Sequence, residues 1–91
     1  MKWTNIQIEQ KIEANQDKLK KMLNISDCSY VTWFDGMRVV HADESEIMIS
    51  VKHSNALDYL HFKYKDGFEA AIEHILEKSY TIKFVSDAYI D

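Results

Sequence analysis

The spacing of apolar residues predicts a long amphipathic helix at the start of the chain. Its apolar positions recur at helical intervals, and they are Ile8, Ile12, Leu19, Met22 and Leu23. Thr4 and Gln7 have the spacing of a capping box, in which each side chain satisfies a free backbone group of the other. Only the polar pair Asn15 and Gln16 interrupts the stripe. We predict one helix over residues 5–22.

A second, short helix is predicted over residues 29–35. Ser26 and its polar neighbours supply N-cap chemistry before it, and Asp35-Gly36 ends it, because glycine suits the left-handed position that follows a helix. Trp33 is in phase with Tyr30, so we expect Trp33 to fill the core. Phe34 beside it is then expected to stay partly exposed or to pack on the first helix, and of the two aromatic residues we expect Phe34 to be the contact residue.

Alternation of apolar and polar residues predicts three strands, over residues 37–42, 46–51 and 80–85. Asp43-Glu44-Ser45 is a short polar connection between the first two strands, which favours a β-hairpin.

A long helix is predicted between the second and third strands, over residues 55–77. Asn55, followed by Asp58, has the pattern of an N-terminal cap. The apolar stripe comprises Leu57, Leu60, Tyr64, Phe68, Ala71 and Ile75. The order helix-helix-strand-strand-helix-strand favours an α+β fold in one domain, with a three-stranded sheet packed against helices.

Composition narrows the class of protein without naming a function. The 91 residues suit one domain with a modest core. Net charge is −4, which disfavours strong binding to the phosphates of nucleic acids. A single cysteine excludes an internal disulfide, and no apolar run is long enough to span a bilayer or to resemble a signal peptide. We therefore expect a cytoplasmic protein.

Catalytic and metal-binding patterns are missing from the sequence. His41, His53, His61 and His74 are scattered without the spacing of a zinc site. Cys28 has no neighbouring base, and we expect it to be a small buried residue at a helix start. The sequence predicts no metal, no cofactor and no enzymatic activity.

The segment from Ser29 to Val85 resembles the N-terminal domain of DnaA, the bacterial replication initiator. The family's Thr-Trp box is matched by residues 32–37, "TWFDGM", and its Leu-Asp-Trp and Lys-Tyr pairs by residues 57–59 and 63–64. The resemblance implies a KH-like fold. It also implies a role in initiating DNA replication through self-association and through contacts with the replicative helicase and small regulators.

The resemblance also implies partner-binding residues. They are Trp3, Ser29, Phe34 and Asn55, whereas Trp33, Leu57, Leu60 and Tyr64 are expected in the core. For Trp3 two interpretations stay open: an exposed residue for self-association, or a hydrophobic staple onto the first helix. The chain departs from the family where Gly36 replaces a proline, Asn55 an aromatic residue and Ser29 an acidic one.

Other functions stay open at this point. KH-like folds also bind single-stranded nucleic acid, although the sequence lacks a Gly-x-x-Gly loop. A free-standing copy would suit a phage or mobile-element regulator of the initiator, and an enzyme would have to use Cys28 with a histidine.

Overall fold

The computed structural model describes residues 3–86, which form four α-helices and three strands. The predicted α+β class is confirmed. In chain order the elements are α1 (Asn5–Ala14), α2 (Gln16–Leu23), α3 (Asp27–Phe34), β1 (Arg38–Ala42), β2 (Glu46–Val51), a 3₁₀ turn (Ser54–Ala56), α4 (Leu57–Leu76) and β3 (Thr81–Ser86).

The first predicted helix is two helices, so the single helix over residues 5–22 was wrong. The capping box is present, with the Gln7 amide nitrogen 3.2 Å from Thr4 Oγ1. Asn15 ends α1 in a non-helical conformation, and its side-chain amide donates to the Lys11 carbonyl at 2.8 Å. Asparagine competes for backbone hydrogen bonds in this way, which is why the polar interruption breaks the helix.

The break at Asn15 allows α2 to pack against α4. The contact is close at Gly67, where an added Cβ would lie 3.2 Å from Leu23 Cδ2 and 3.3 Å from the Met22 carbonyl oxygen. Glycine inside a helix costs about 1 kcal/mol relative to alanine. Here that cost is offset by the approach of the two helix backbones.

The second predicted helix begins two residues earlier than expected, at Asp27. The Ser26 hydroxyl caps it by accepting from the Ser29 amide at 3.1 Å. Gly36 has a φ of +76°, which confirms the left-handed position predicted for it. Phe34, and not Trp33, is the aromatic residue that this helix buries fully.

The sheet has the order β1-β2-β3, with β1 antiparallel and β3 parallel to the central strand. The predicted hairpin is confirmed: Asp43 accepts from the Ser45 and Glu46 amides, both at 2.8 Å. These bonds, with a further one from His41, hold the pKa of Asp43 well below its ordinary range. Helices cover the face of the sheet that carries Ile47, Ile49 and Phe84.

Helix side chains accept hydrogen bonds from outward-facing backbone N–H groups of both edge strands, β1 and β3. Glu9 of α1 accepts from the Val39 amide of β1 at 2.8 Å. On β3, the Ile82 amide donates to Glu69 at 2.9 Å and the Phe84 amide to His61 Nε2 at 3.0 Å. His61 Nδ1 donates to the Leu57 carbonyl at 2.9 Å, so Nε2 is left as the acceptor. These contacts fasten the helices to the sheet.

The start of the long helix also differs from the prediction. Asn55 does not cap it; it lies in the 3₁₀ turn, and α4 begins at Leu57 with no side-chain cap. The helix ends at Leu76, and the first and third strands each begin one residue later than predicted.

Candidate interaction surface

Phe62 is the most exposed large apolar side chain of the described residues. Its side chain is 91% exposed, compared with 66% for Ile6, the next most exposed. Isolated apolar residues on a surface are common, so the side chains around Phe62 decide whether its ring belongs to a larger apolar surface. Phe62 is therefore the starting point for a functional reading.

The phase of α4 sends Phe62 outward. Its buried stripe comprises Leu60, Tyr64, Phe68, Ala71, Ile72 and Leu76. Successive helical residues are rotated by about 100°, so Phe62, two residues from both Leu60 and Tyr64, lies on the opposite side. The same periodicity that builds the core therefore excludes this ring from it.

Tyr59 and Trp33 extend the apolar surface next to Phe62. Tyr59 lies one helical turn before Phe62 and is 43% exposed. Its ring centroid is 5.5 Å from that of the half-buried Trp33, which in turn meets the edge of His53 at 5.4 Å. We call Trp33, His53, Tyr59 and Phe62 the aromatic surface.

Charged side chains border the aromatic surface. Lys63 Nζ lies 5.7 Å from the ring centroids of both Tyr59 and Tyr64, and the Tyr59 hydroxyl raises the pKa of Lys63 above its ordinary value. Asp58 and Asp66, four residues on either side of Phe62, are exposed. Within residues 3–86 neither carboxylate forms an ion pair, so both are available to a partner.

The structure changes the roles of Trp33 and Phe34, the two neighbouring aromatic residues at the end of α3. Phe34, expected as a contact residue, is 2% exposed, with the rings of Tyr64, Phe68 and Phe84 within 5.8 Å. Trp33, expected inside the core, is half-buried at its edge. The two residues of α3 that face the core are Tyr30 and Phe34, which are four residues apart. Trp33, three residues after Tyr30, is rotated towards the edge of the core.

The other predicted contact residues are spread over the molecule. Trp3 is half-buried against the core with Lys11 Nζ 5.8 Å from its ring, while Ser29 lies in the first turn of α3. Asn55 is exposed in the turn that leads into α4, and it follows His53 of the aromatic surface by two residues. Leu60 and Tyr64 are core residues as predicted, and Leu57 packs at the core's edge.

A separate groove of about 470 Å³ lies between α1, α3 and β1. Ile12, Phe34 and Val39 are among the residues that form its apolar floor. Tyr30 also lines it, although its hydroxyl is buried and has no hydrogen-bond partner among the described residues. Burial raises the pKa of Tyr30 to about 12.

Groups that would suggest metal or catalytic chemistry do not converge in residues 3–86. No cluster of three or more histidine, cysteine or acidic side chains is placed to hold a metal ion in this part of the chain. Cys28 is exposed, so the expectation that it is buried was wrong. None of the helices within the described range is long and apolar enough to cross a membrane.

Comparison with known proteins relates the chain to a replication initiator. It is 28% identical over 82 residues to the chromosomal replication initiator protein DnaA of Lachnoclostridium phytofermentans. The match covers 86% of this chain but only 18% of that protein, so the chain corresponds to one segment of it. No protein-family model matches the chain.

Proposed function

We propose that this chain is a non-catalytic protein-interaction module that acts in the initiation of DNA replication or its regulation. The observation that carries the proposal is the aromatic surface, above all the 91% exposed ring of Phe62. Exposed aromatic side chains are typical anchors of protein interfaces. The similarity to DnaA supports the choice of process, and the Thr-Trp box and Leu-Asp-Tyr segment support a KH-like domain like the initiator's N-terminal one.

The proposed partners are proteins of the replication machinery: the initiator itself, the replicative helicase or small regulators of initiation. Trp33 gives the base of the surface a fixed shape, because its ring packs on both Tyr59 and His53. Phe62 projects from this base. A partner would therefore meet a preformed surface and would order few side chains on binding.

NMR titration tests the proposal. The isotope-labelled chain is mixed with the cognate full-length initiator and, separately, with the cognate replicative helicase. We expect one of them to shift the amide resonances around Trp33, Tyr59 and Phe62, and the Phe62→Ser variant to lose the response. Ile6→Ser, which removes an exposed apolar side chain from α1, is the matched control and should bind as the wild type does. Absence of any shift at hundred-micromolar concentrations of both proteins would refute the proposal.

Weak binding of single-stranded nucleic acid is a second candidate. Exposed aromatic rings beside a lysine can stack with bases, and Tyr59, Phe62 and Lys63 offer this combination. The net charge of −4 and the two carboxylates beside Phe62 oppose it. Fluorescence anisotropy with a single-stranded oligonucleotide at two salt concentrations separates the candidates, because phosphate binding must weaken steeply with salt.

A further inference from the structure

The charges around Phe62 indicate what kind of protein can cover it. On an α-helix, side chains four residues apart are neighbours on the surface. Phe62 therefore has Asp58 on one side and Asp66 on the other. Lys65, three residues away, is held by Glu69 at 2.9 Å, and Lys63 lies against aromatic rings. Along the helix, the exposed ring is therefore bordered on both sides by a negative side chain, while Lys63 keeps its positive charge beside the rings of Tyr59 and Tyr64.

A second copy of the chain does not suit this border. Two copies of α4 that pack antiparallel about a twofold axis at Phe62 place Asp58 of one opposite Asp66 of the other. A parallel twofold pair places each carboxylate opposite its own counterpart. Both arrangements bring like charges together while water is being removed, which is unfavourable.

The groove between α1, α3 and β1 on a second copy does not suit the two aspartates beside Phe62 either. Its rim carries Glu9, Glu13 and Asp35, and of these Asp35 lies 3.7 Å from Lys52 Nζ. The two cations of the rim, Arg38 and Lys20, lie within 3.6 Å of carboxylates of the same chain, on Glu9 and Asp27. Glu13 has no ion pair among residues 3–86, so the groove would meet Asp58 and Asp66 with the same sign of charge.

Resting on the interaction role proposed above, we propose that Phe62 is the anchor for a different protein, one that offers an apolar pocket bordered by lysine or arginine side chains. The ring enters the pocket, and the two aspartates pair with the basic border. The apolar contact supplies most of the affinity. The charges select the partner, since like charges across an interface exclude a wrong one.

Two synthetic peptides test the charge selection. Both are amphipathic helices of about 18 residues, or five turns, with the same leucine and alanine stripe, which offers the holes between side chains that a ring can fill. One stripe is flanked by lysines and the other by glutamates. Binding to the full 91-residue chain is followed by the amide shifts of residues 58–66. We expect the lysine peptide to bind at least about tenfold more tightly than the glutamate peptide, and Phe62→Ser to weaken it by a similar factor.

Charge reversal supplies the decisive control. Replacing both aspartates, Asp58→Lys with Asp66→Lys, should reverse the preference, so that the glutamate peptide binds more tightly. Asp17→Lys with Glu44→Lys makes the same change in net charge at exposed positions away from Phe62 and should leave the preference for the lysine peptide intact. If the control pair also reverses the preference, only net charge matters and the inference is wrong.

Each of the remaining outcomes also contradicts a stated part of the inference. Equal binding of the two peptides, lost in Phe62→Ser, would overturn the charge selection and leave the interaction role standing. Binding of neither peptide at millimolar concentration would overturn the inference, while the titration with the initiator and the helicase still judges the proposed function. If sedimentation equilibrium shows self-association that Phe62→Ser abolishes, the occupant is a second copy. If an oligodeoxythymidine shifts the amide resonance of Phe62, the occupant is instead single-stranded DNA.

Discussion

Phe34 and Phe62 are both phenylalanines, but one is buried and the other is exposed. Phe34 is 2% exposed and touches rings from α3, α4 and β3, whereas Phe62 is 91% exposed and has no ring partner in the described part of the chain. Phe34 belongs to the most conspicuous aromatic pair of the sequence, and Phe62 lies inside an ordinary helical pattern. Of the conspicuous pair, Phe34 builds the core while Trp33 lies at its edge, and the most exposed ring is the inconspicuous Phe62.

Removing the buried ring tests the structural half of this comparison and should have the largest effect. Phe34→Ala leaves a cavity among Tyr64, Phe68 and Phe84, and we expect it to lower the free energy of unfolding by about 3–5 kcal/mol. Urea denaturation followed by circular dichroism measures the change. A loss below about 1 kcal/mol would mean that the ring is not packed as described.

A polar residue of α4 should matter more to stability than Phe62 does. Glu69 binds Lys65 and the Ile82 amide, so we expect Glu69→Ala to lower the free energy of unfolding by about 1–3 kcal/mol at pH 7. Glu44→Ala, at an exposed position of the hairpin, is the control and should change stability little.

The Glu69 contribution should depend on pH. Burial opposes ionisation of its carboxyl, but hydrogen bonds from Lys65 and Ile82 outweigh it and lower the pKa of Glu69. Because the folded-state pKa lies below the unfolded value of about 4.3, the contribution is present above that pH and is lost as the pH falls through the folded-state value. Thermal unfolding from pH 7 down to pH 3 should show wild type and Glu69→Ala converging. A constant difference would contradict the assignment.

Tyr30 gives a smaller effect of opposite sign. Its hydroxyl is buried without a partner in the described structure, while its ring packs against Phe34 at 5.7 Å. Tyr30→Phe keeps the ring and removes the unpaired group, so we expect the free energy of unfolding to rise by about 1 kcal/mol. Loss of stability in this variant would show that the hydroxyl has a hydrogen-bond partner after all.

The exposed ring should contribute least to stability. Phe62→Ser removes almost no buried area, and we expect the free energy of unfolding to change by less than about 0.5 kcal/mol. The same denaturation experiment measures it. A loss as large as that of Phe34→Ala would remove the contrast between the two phenylalanines and, with it, the reading of Phe62 as a binding residue.

Local signals in the sequence were sufficient for most of the fold. The capping box of α1, the glycine after α3 and the polar hairpin each act through neighbouring residues, and each is present as predicted. The break at Asn15 was not predictable in the same way. A polar pair on the exposed side of one continuous helix has the same pattern. Only the structure shows that the Asn15 side chain bonds to the Lys11 carbonyl and ends α1, which allows α2 to pack against Gly67 of α4.

The candidate site was less predictable because it depends on how helices are rotated. Trp33 and Phe34 are both large and aromatic, so the sequence did not show which of them faces the core once α3 begins at Asp27. Phe62 carried a readable signal: it is an aromatic residue out of phase with the stripe that includes Leu60 and Tyr64. Its nearly complete exposure required the positions of the other elements.

The occupied sheet edges have a consequence for how this chain meets other molecules. With the amides of Val39, Ile82 and Phe84 already bonded to helix side chains, a foreign strand finds these donors taken and cannot extend the sheet through them. Uncontrolled stacking of copies, the route towards fibrils, is hindered for the same reason. The binding role proposed for Phe62 relies instead on a projecting side chain, which a substitution can change without disturbing the framework beneath it.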